Sequence, residues 1–252
     1  KGLDAEIKQF SDCVLDDQNG GRKGIQLFMD KQSPALPCRP RINLKQKDSL
    51  MEQGRLLPMG SPFYPGVTPI PKFQLASAVV RDEASGEYLH GAPLAVEKEV
   101  ILPVESAGPN QTLLYMLASE INYNDCWAIS GIPISLFDEH DEDVHVTGSG
   151  GIGLVVELGE ALQAEGRLSV GKLVTVYSGV SDLLDPGAGD DPMFTQFHIQ
   201  GYQGPKGSHQ QFMLADGPQC FTAPADLTLE DSGSYILTAG TAYRALFNAL
   251  DI

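Results

Sequence analysis

The sequence predicts a mainly β fold with helices (α+β), built as a barrel of short strands, and three observations carry the prediction. Glycine (27) and proline (17) are frequent among the 252 residues, and both interrupt regular elements, so strands and turns should dominate. Six short apolar runs separated by Gly, Pro and Asp fill the middle of the chain. Hydrophobic residues make up 42% of the sequence, enough at this length for a sizeable core.

The elements follow in order. Leu3, Ile7, Phe10 and Val14 recur at helical spacing, and Ile25, Phe28 and Met29 share a second helical face, with Asp16-Asp17-Gln18-Asn19-Gly20-Gly21 as the turn between them. This predicts a helical hairpin over residues 1–36. A pair of this size buries too little to be stable alone, so its apolar stripes should lie on something larger. Eight prolines from Pro34 to Pro71, with no sustained period, predict a linker over 37–72 laid partly on a surface. Strands are expected at 73–80, 97–104, 111–121, 153–158, 173–177 and 211–214, which suggests a barrel within a domain spanning 73–252. Thr228, followed three residues later by Asp231, opens a final helix through Tyr235, Ile236, Leu237, Tyr243, Leu246 and Phe247, with a break expected near Gly240.

Charge and cysteine usage exclude several classes. With 17 Lys+Arg against 33 Asp+Glu the formal charge is −16, so a phosphate backbone would meet a repulsive field and no nucleic-acid partner is expected. No apolar run reaches the roughly 18 residues a spanning helix needs, and residues 1–8 lack the apolar stretch of a secretion signal, so no membrane partner and a cytoplasmic location are expected. Cys13, Cys38, Cys126 and Cys220 form no CxxC pair, which argues for reduced thiols over a zinc site or a disulfide framework.

Three motifs invite stronger readings. Gly148-Ser149-Gly150-Gly151-Ile152-Gly153 satisfies G-x-G-x-x-G, but the residues that follow are Leu154-Val155-Val156-Glu157-Leu158, a strand. A dinucleotide fingerprint needs a helix there to receive the pyrophosphate, so these glycines are read as serving a tight turn and close strand packing. Residues 138–145 offer Asp, Glu and two histidines without a metal-ligand spacing, and are read as a solvated loop. Ser208-His209 lacks a nucleophile-elbow context, and neighbours in sequence are a poor guide to a nucleophile and its base.

From about residue 97 to 248 the chain resembles the medium-chain dehydrogenase/reductase superfamily. The landmarks are INYNDCW at 121–127, HVTGSGGIGLVVELG at 145–159, RLSVGKLVTVYSG at 167–179, HIQGYQGPKGSHQQFML at 198–214 and LTLEDSGSYILTAGTAYRALF at 227–247. Each is loose alone, and together, in order, they resemble the crotonyl-CoA carboxylase/reductase branch most closely. The resemblance implies a GroES-like partly open barrel, with the NADPH-binding Rossmann domain absent from this chain and expected beyond Ile252. In zinc-bearing members the positions of Asn122 and Ser149 hold Cys and His. Their replacement by an amide and a hydroxyl implies no metal and a zinc-independent reduction of an enoyl-CoA thioester.

The same resemblance assigns residues. Asn124 matches an active-site asparagine and is a candidate catalytic group, with helix capping as its alternative role. Tyr202 is a candidate proton donor, with core packing as the alternative. Tyr123 and Gln203 are implied substrate-binding residues. Carboxylating members carry an aromatic residue followed by glutamate where this chain has Tyr202-Gln203, which favours plain reduction over carbon dioxide capture. Thr241 is the implied contact to NADPH, or else an ordinary N-cap after Gly240.

Lys23-Gly24, Leu27-Phe28 and Lys31-Gln32-Ser33-Pro34 resemble the closing helix of the enoyl-CoA hydratase (crotonase) family. A hydratase tail followed by a reductase is similar in order to the propionyl-CoA synthase family of fused enzymes, which reduce acryloyl-CoA. The implied partners are an acyl-CoA thioester and the hydratase and Rossmann domains of a parent protein, with homodimer formation left open. The isolated 252 residues are expected to be a fragment inactive alone. The rival expectations are a crotonyl-CoA carboxylase/reductase and, from another class, a non-catalytic interaction module.

Overall fold

The computed structural model describes residues 41–80, 97–131, 136–180 and 197–249. The predicted hairpin over 1–36 lies outside them, as do Cys13 and Cys38.

Two antiparallel sheets form the barrel walls. Strand β1 (Phe73–Val80) pairs on one side with β2 (Lys98–Pro103), in the register Phe73 to Pro103, and on the other with β4 (Val144–Val146). The second sheet has the order β10-β6-β5-β3-β9. Its members are β3 (Gln111–Ser119), β5 (Gly150–Leu158), β6 (Leu173–Tyr177), β9 (Phe212–Asp216) and β10 (Cys220–Thr222). A two-stranded ribbon joins β7 (Gly179–Val180) to β8 (His198–Ile199). Residues 205–211 stitch the two sheets together. Ser77 N donates to His209 O (2.8 Å), Gln211 N to Leu75 O (3.1 Å), and Met116 N to Gln211 O (2.9 Å). The result is a partly open, GroES-like barrel rather than a closed cylinder.

The predicted strands coincide with β1, β2, β3, β5, β6 and β9, and the additional strands are all of two or three residues. Elements this short carry too few alternations to leave a periodic signal.

The stretch read as a linker is part of the fold from residue 41 onward. Leu44–Gln46 forms a 3-10 turn that leads into helix α1 (Lys47–Glu52), and Leu50 and Leu56 pack with Leu75 and Ile101. Phe63 stacks on Tyr115 at 5.0 Å and meets Phe212 edge-on at 5.6 Å. Prolines here shape an extended path whose apolar residues cover the sheets.

Three further helices complete the described residues: α2 (Tyr123–Ser130), α3 (Glu160–Glu165) and α4 (Leu229–Tyr243). Thr228 caps α4 as expected, its hydroxyl accepting from Asp231 N at 3.1 Å. The expected break at Gly240 does not occur. Nothing lies within 4 Å of the place a Cβ would take there, so this glycine only lowers helix propensity, by about 1 kcal/mol. The α-helix continues to Tyr243 and passes into a π-helical turn over Arg244–Ala249. No helix among the described residues is long and apolar enough to cross a membrane.

Candidate active site

The site is built at the corner where β3 turns into α2. Asn122 stands in extended backbone (φ −139°) and begins the helix: its Oδ1 accepts from Asn124 N at 2.9 Å, while Asn122 N donates to Asp125 Oδ2 at 2.7 Å. This reciprocal capping box satisfies donors that a helix start otherwise leaves open. Asp125 is 1% exposed, and its other oxygen accepts from Gly148 N at 2.9 Å and, weakly, from Ser149 Oγ at 3.5 Å. Burial pushes the Asp125 carboxyl above the usual aspartate value, against the opposing pull of the backbone donors and the nearby His209.

The two positions that would hold metal ligands in a zinc enzyme therefore have other work. Asn122 is the cap, and Ser149 is a buried donor to Asp125. An amide and a hydroxyl so engaged are a poor donor set for zinc. Among the described residues no cluster of three or more His, Cys, Asp or Glu side chains is arranged around a common centre. The Asn122 Nδ2 group is buried and lacks a hydrogen-bond partner among the described residues, which leaves it as a donor for a ligand.

Of the five sequence-predicted residues, Tyr123 and Tyr202 are brought together through Trp127, with Asn124 and Gln203 next to them in the chain. Tyr123 is 77% exposed at the rim, and its ring lies 6.2 Å from that of Trp127, which lies 6.4 Å from the ring of Tyr202. Tyr202 is buried, and burial, assisted by the charge of Glu139, raises its phenol above the ordinary value, so it keeps its proton at neutral pH. Gln203 is buried too, and its Oε1 accepts from Ile199 N at 2.9 Å. Asn124 lies half-buried in the first turn of α2. It is not the cap, since Asn122 fills that position. Thr241 lies in the last turn of α4 rather than at an N-cap, and its hydroxyl donates to Leu237 O at 2.7 Å.

Sequence reasoning missed a partly buried ionic cluster behind the corner. His209 Nε2 lies 3.0 Å from Glu120 O, and its Nδ1 lies 2.8 Å from Thr147 Oγ1. The Thr147 hydroxyl in turn donates to Glu97. A carbonyl can only accept, so Nε2 donates to Glu120 O, and the Glu97 carboxylate 3.6 Å from Nδ1 favours the protonated ring. Burial lowers its pKa, but the Glu97 carboxylate 3.6 Å from Nδ1, the Glu120 carbonyl and the charge of Asp125 outweigh burial and raise it. Burial likewise pushes Glu97 up, yet the nearby His209 and the hydroxyls of Thr147 and Ser77 hold it below the usual glutamate value. Ser208 bonds to Ser119 Oγ (2.7 Å) and Gly150 O (2.8 Å), so Ser208-His209 is no nucleophile and base.

The stretch 138–145 also departs from expectation. Glu139, His140, Glu142 and His145 are all buried, and the segment is a packed polar network instead of a solvated loop. His145 Nε2 lies 3.0 Å from Gly201 O and must donate to it, leaving Nδ1 to accept from His140 Nε2 at 2.8 Å; His140 Nδ1 accepts from Glu142 N at 3.2 Å. The two imidazoles, stacked at 5.1 Å, thus tie this segment to the turn that presents Tyr202. Alternation through Val144, His145, Val146 and Thr147 was the available signal, placing the histidine and the threonine on one face.

The glycines of 148–153 act as read from the sequence. A Cβ at Gly148 would sit 2.4 Å from Ser208 Oγ, and one at Gly151 would sit 2.4 Å from Ala118 O. The residues that follow form β5, not a helix.

No family model matches the chain. It is 33% identical over 203 residues to a curated crotonyl-CoA carboxylase/reductase of Cereibacter sphaeroides, covering 80% of this chain and 43% of that protein. Among solved structures, a crotonyl-CoA carboxylase/reductase superposes with a TM-score of 0.66 at 34% identity, covering 75% of this chain and 42% of that one. A 2-octenoyl-CoA carboxylase reductase in complex with NADP and 2-octenoyl-CoA gives 0.62 at 26%, covering 72% and 44%. The homologues are thus crotonyl-CoA carboxylase/reductases, members of the medium-chain dehydrogenase/reductase superfamily. The chain spans less than half the length of the curated relatives it matches.

Proposed function

We propose that this chain is the substrate-side barrel of a zinc-independent, NADPH-dependent enoyl-CoA reductase of the crotonyl-CoA carboxylase/reductase kind. The observation that carries the reading is the likeness of the barrel to a structure solved with NADP and an enoyl-CoA bound. When bound, NADPH supplies the hydride. This chain's residues orient the thioester and stabilise the charge that develops on its oxygen. Asn122 Nδ2 offers a donor without a partner among the described residues, and Asn124, one turn-step further, is the second amide at the corner. Tyr202, neutral and buried beside Trp127, holds a proton for the α-carbon. Tyr123, at the exposed rim, borders the path of the acyl-CoA. Thr241 remains a candidate NADPH contact through its exposed place on α4.

A finer reading places the reductase in a fused propionyl-CoA synthase. It is supported by Gln203, which the sequence resemblance pairs with an acid in carboxylating members, and by the crotonase-like residues from Lys23 to Pro34. The curated relatives favour the carboxylase/reductase assignment over the fused one.

A polypeptide carrying this chain together with a nucleotide-binding domain should oxidise NADPH in the presence of acryloyl-CoA or crotonyl-CoA. Mass analysis with and without bicarbonate then separates the outcomes. A saturated acyl-CoA as sole product supports plain reduction, and a carboxylated acyl-CoA supports the carboxylase. No turnover of either thioester would reject an enzymatic role in favour of an interaction module.

A further inference from the structure

We propose that Glu120 is a positioning residue that works as a neutral acid: with its proton it closes the corner carrying Asn122 and Asn124, and without its proton it loosens that corner. This goes beyond the reductase reading and does not rest on it.

The geometry is that of a seat built for an uncharged carboxyl. Glu120 follows the last residue of β3 and is 6% exposed. Its backbone is fixed at both ends, N donating to Gly150 O at 3.3 Å and O accepting from His209 Nε2 at 3.0 Å. Its Oε1 is buried and has no hydrogen-bond partner among the described residues. The space it occupies exists because residue 150 is glycine; a Cβ there would stand 2.6 Å from that oxygen.

Two charged groups face Glu120, Asp125 from α2 and His209 from the segment joining the sheets. The two carboxyls are not equivalent. Asp125 receives the Asn122 and Gly148 amides, which stabilise its charge. The His209 cation is already engaged through Thr147 with Glu97. Glu120 has no comparable donor, so of the pair it is the one that keeps a proton. Burial, reinforced by the charge of Asp125 and only partly opposed by His209, pushes it up to about 7. Above that pH a second carboxylate would face Asp125, and the strain falls on the Asn122–Asp125 capping box that starts α2.

The linkage has a definite sign. A carboxyl raised from 4.5 to about 7 in the folded state gives stability that is fully present below pH 4.5 and is lost as the pH rises through about 7.

The test uses this chain labelled with 13C at glutamate Cδ and 15N throughout. The Glu120 Cδ resonance should titrate with a midpoint near 7, and the side-chain amide signals of Asn122 and Asn124 should move with the same midpoint. In E120Q, a neutral isostere, those amide signals should no longer follow a midpoint near 7, and the decline of the melting temperature between pH 5 and 8 should become shallower, leaving the part that His209 contributes. An ordinary carboxylate midpoint for Glu120, or Asn122 and Asn124 signals indifferent to it, would overturn the proposal even if E120Q failed to fold. An E120Q protein keeping the wild-type midpoint would overturn it equally.

Discussion

At the scale of single residues, Asn122 divides its side chain: Oδ1 caps α2, and Nδ2 is buried without a partner among the described residues. N122A should therefore cost about 1 kcal/mol of stability through the lost cap, measured by urea denaturation, whereas N124A should leave stability nearly unchanged and depress turnover in the extended protein. The protonation of His209 is a second residue-scale consequence. Its raised pKa means that its contribution to stability is present below pH 6.5 and is lost as pH rises through the higher folded value. An NMR titration of the imidazole protons should find a midpoint above that of a free histidine. Neither Asn122 nor His209 could be ranked from sequence. Asn122 looked like a vacated ligand position and His209 like a chance neighbour of Ser208, because a hydrogen-bond partner 62 or 89 residues away leaves no trace in local spacing.

Elements divide by length in how legible they were. Strands β1 and β6 coincide with their predicted limits because each alternates or runs apolar for at least five residues. The short β4 escaped notice, although it supplies His145 and the lead-in to Thr147. The turn after β8 depends on glycine where the sequence offered no special warning. Gly201 has φ +87°, and a Cβ on it would lie 2.0 Å from Gly148 O. G201A combines a left-handed backbone with a backbone clash and should destabilise the protein by about 3 kcal/mol or more, or prevent folding. Circular dichroism and thermal melting would show it, and a melt within a degree of wild type would contradict the close packing of the two turns.

The whole molecule rests on apolar packing between sheets and on a balance of buried charge. Phe212 is 1% exposed and touches Phe63 and Tyr115, tying β9 and β3 to the segment once read as a linker. F212A should cost about 3–5 kcal/mol by chemical denaturation, more than any surface change. The stability of the whole chain should peak on the acid side of neutrality. Glu97, held low by its partners, gives stability present above 4.5 and lost as pH falls through its depressed value, whereas Glu120 loses its contribution as pH climbs to about 7. A melting curve series rising continuously from pH 5 to pH 8 would contradict this balance.

Gly207 N, Ser208 N and His209 N all donate to carbonyls between Val146 and Gly148, at 2.8, 3.0 and 3.0 Å, and a Cβ on Gly207 would lie 2.1 Å from Thr147 O. Two stretches of main chain lie against each other with no side chain between them, so solvent has no route to these amides short of unravelling the barrel. Their deuterium exchange should run at the rate of global opening. Exchange at the solvent-exposed end of α4 and in the π-helical turn after it, around residues 239–247, should be complete orders of magnitude sooner, so that this end of the molecule opens and recloses many times while the Asn122 corner stays folded.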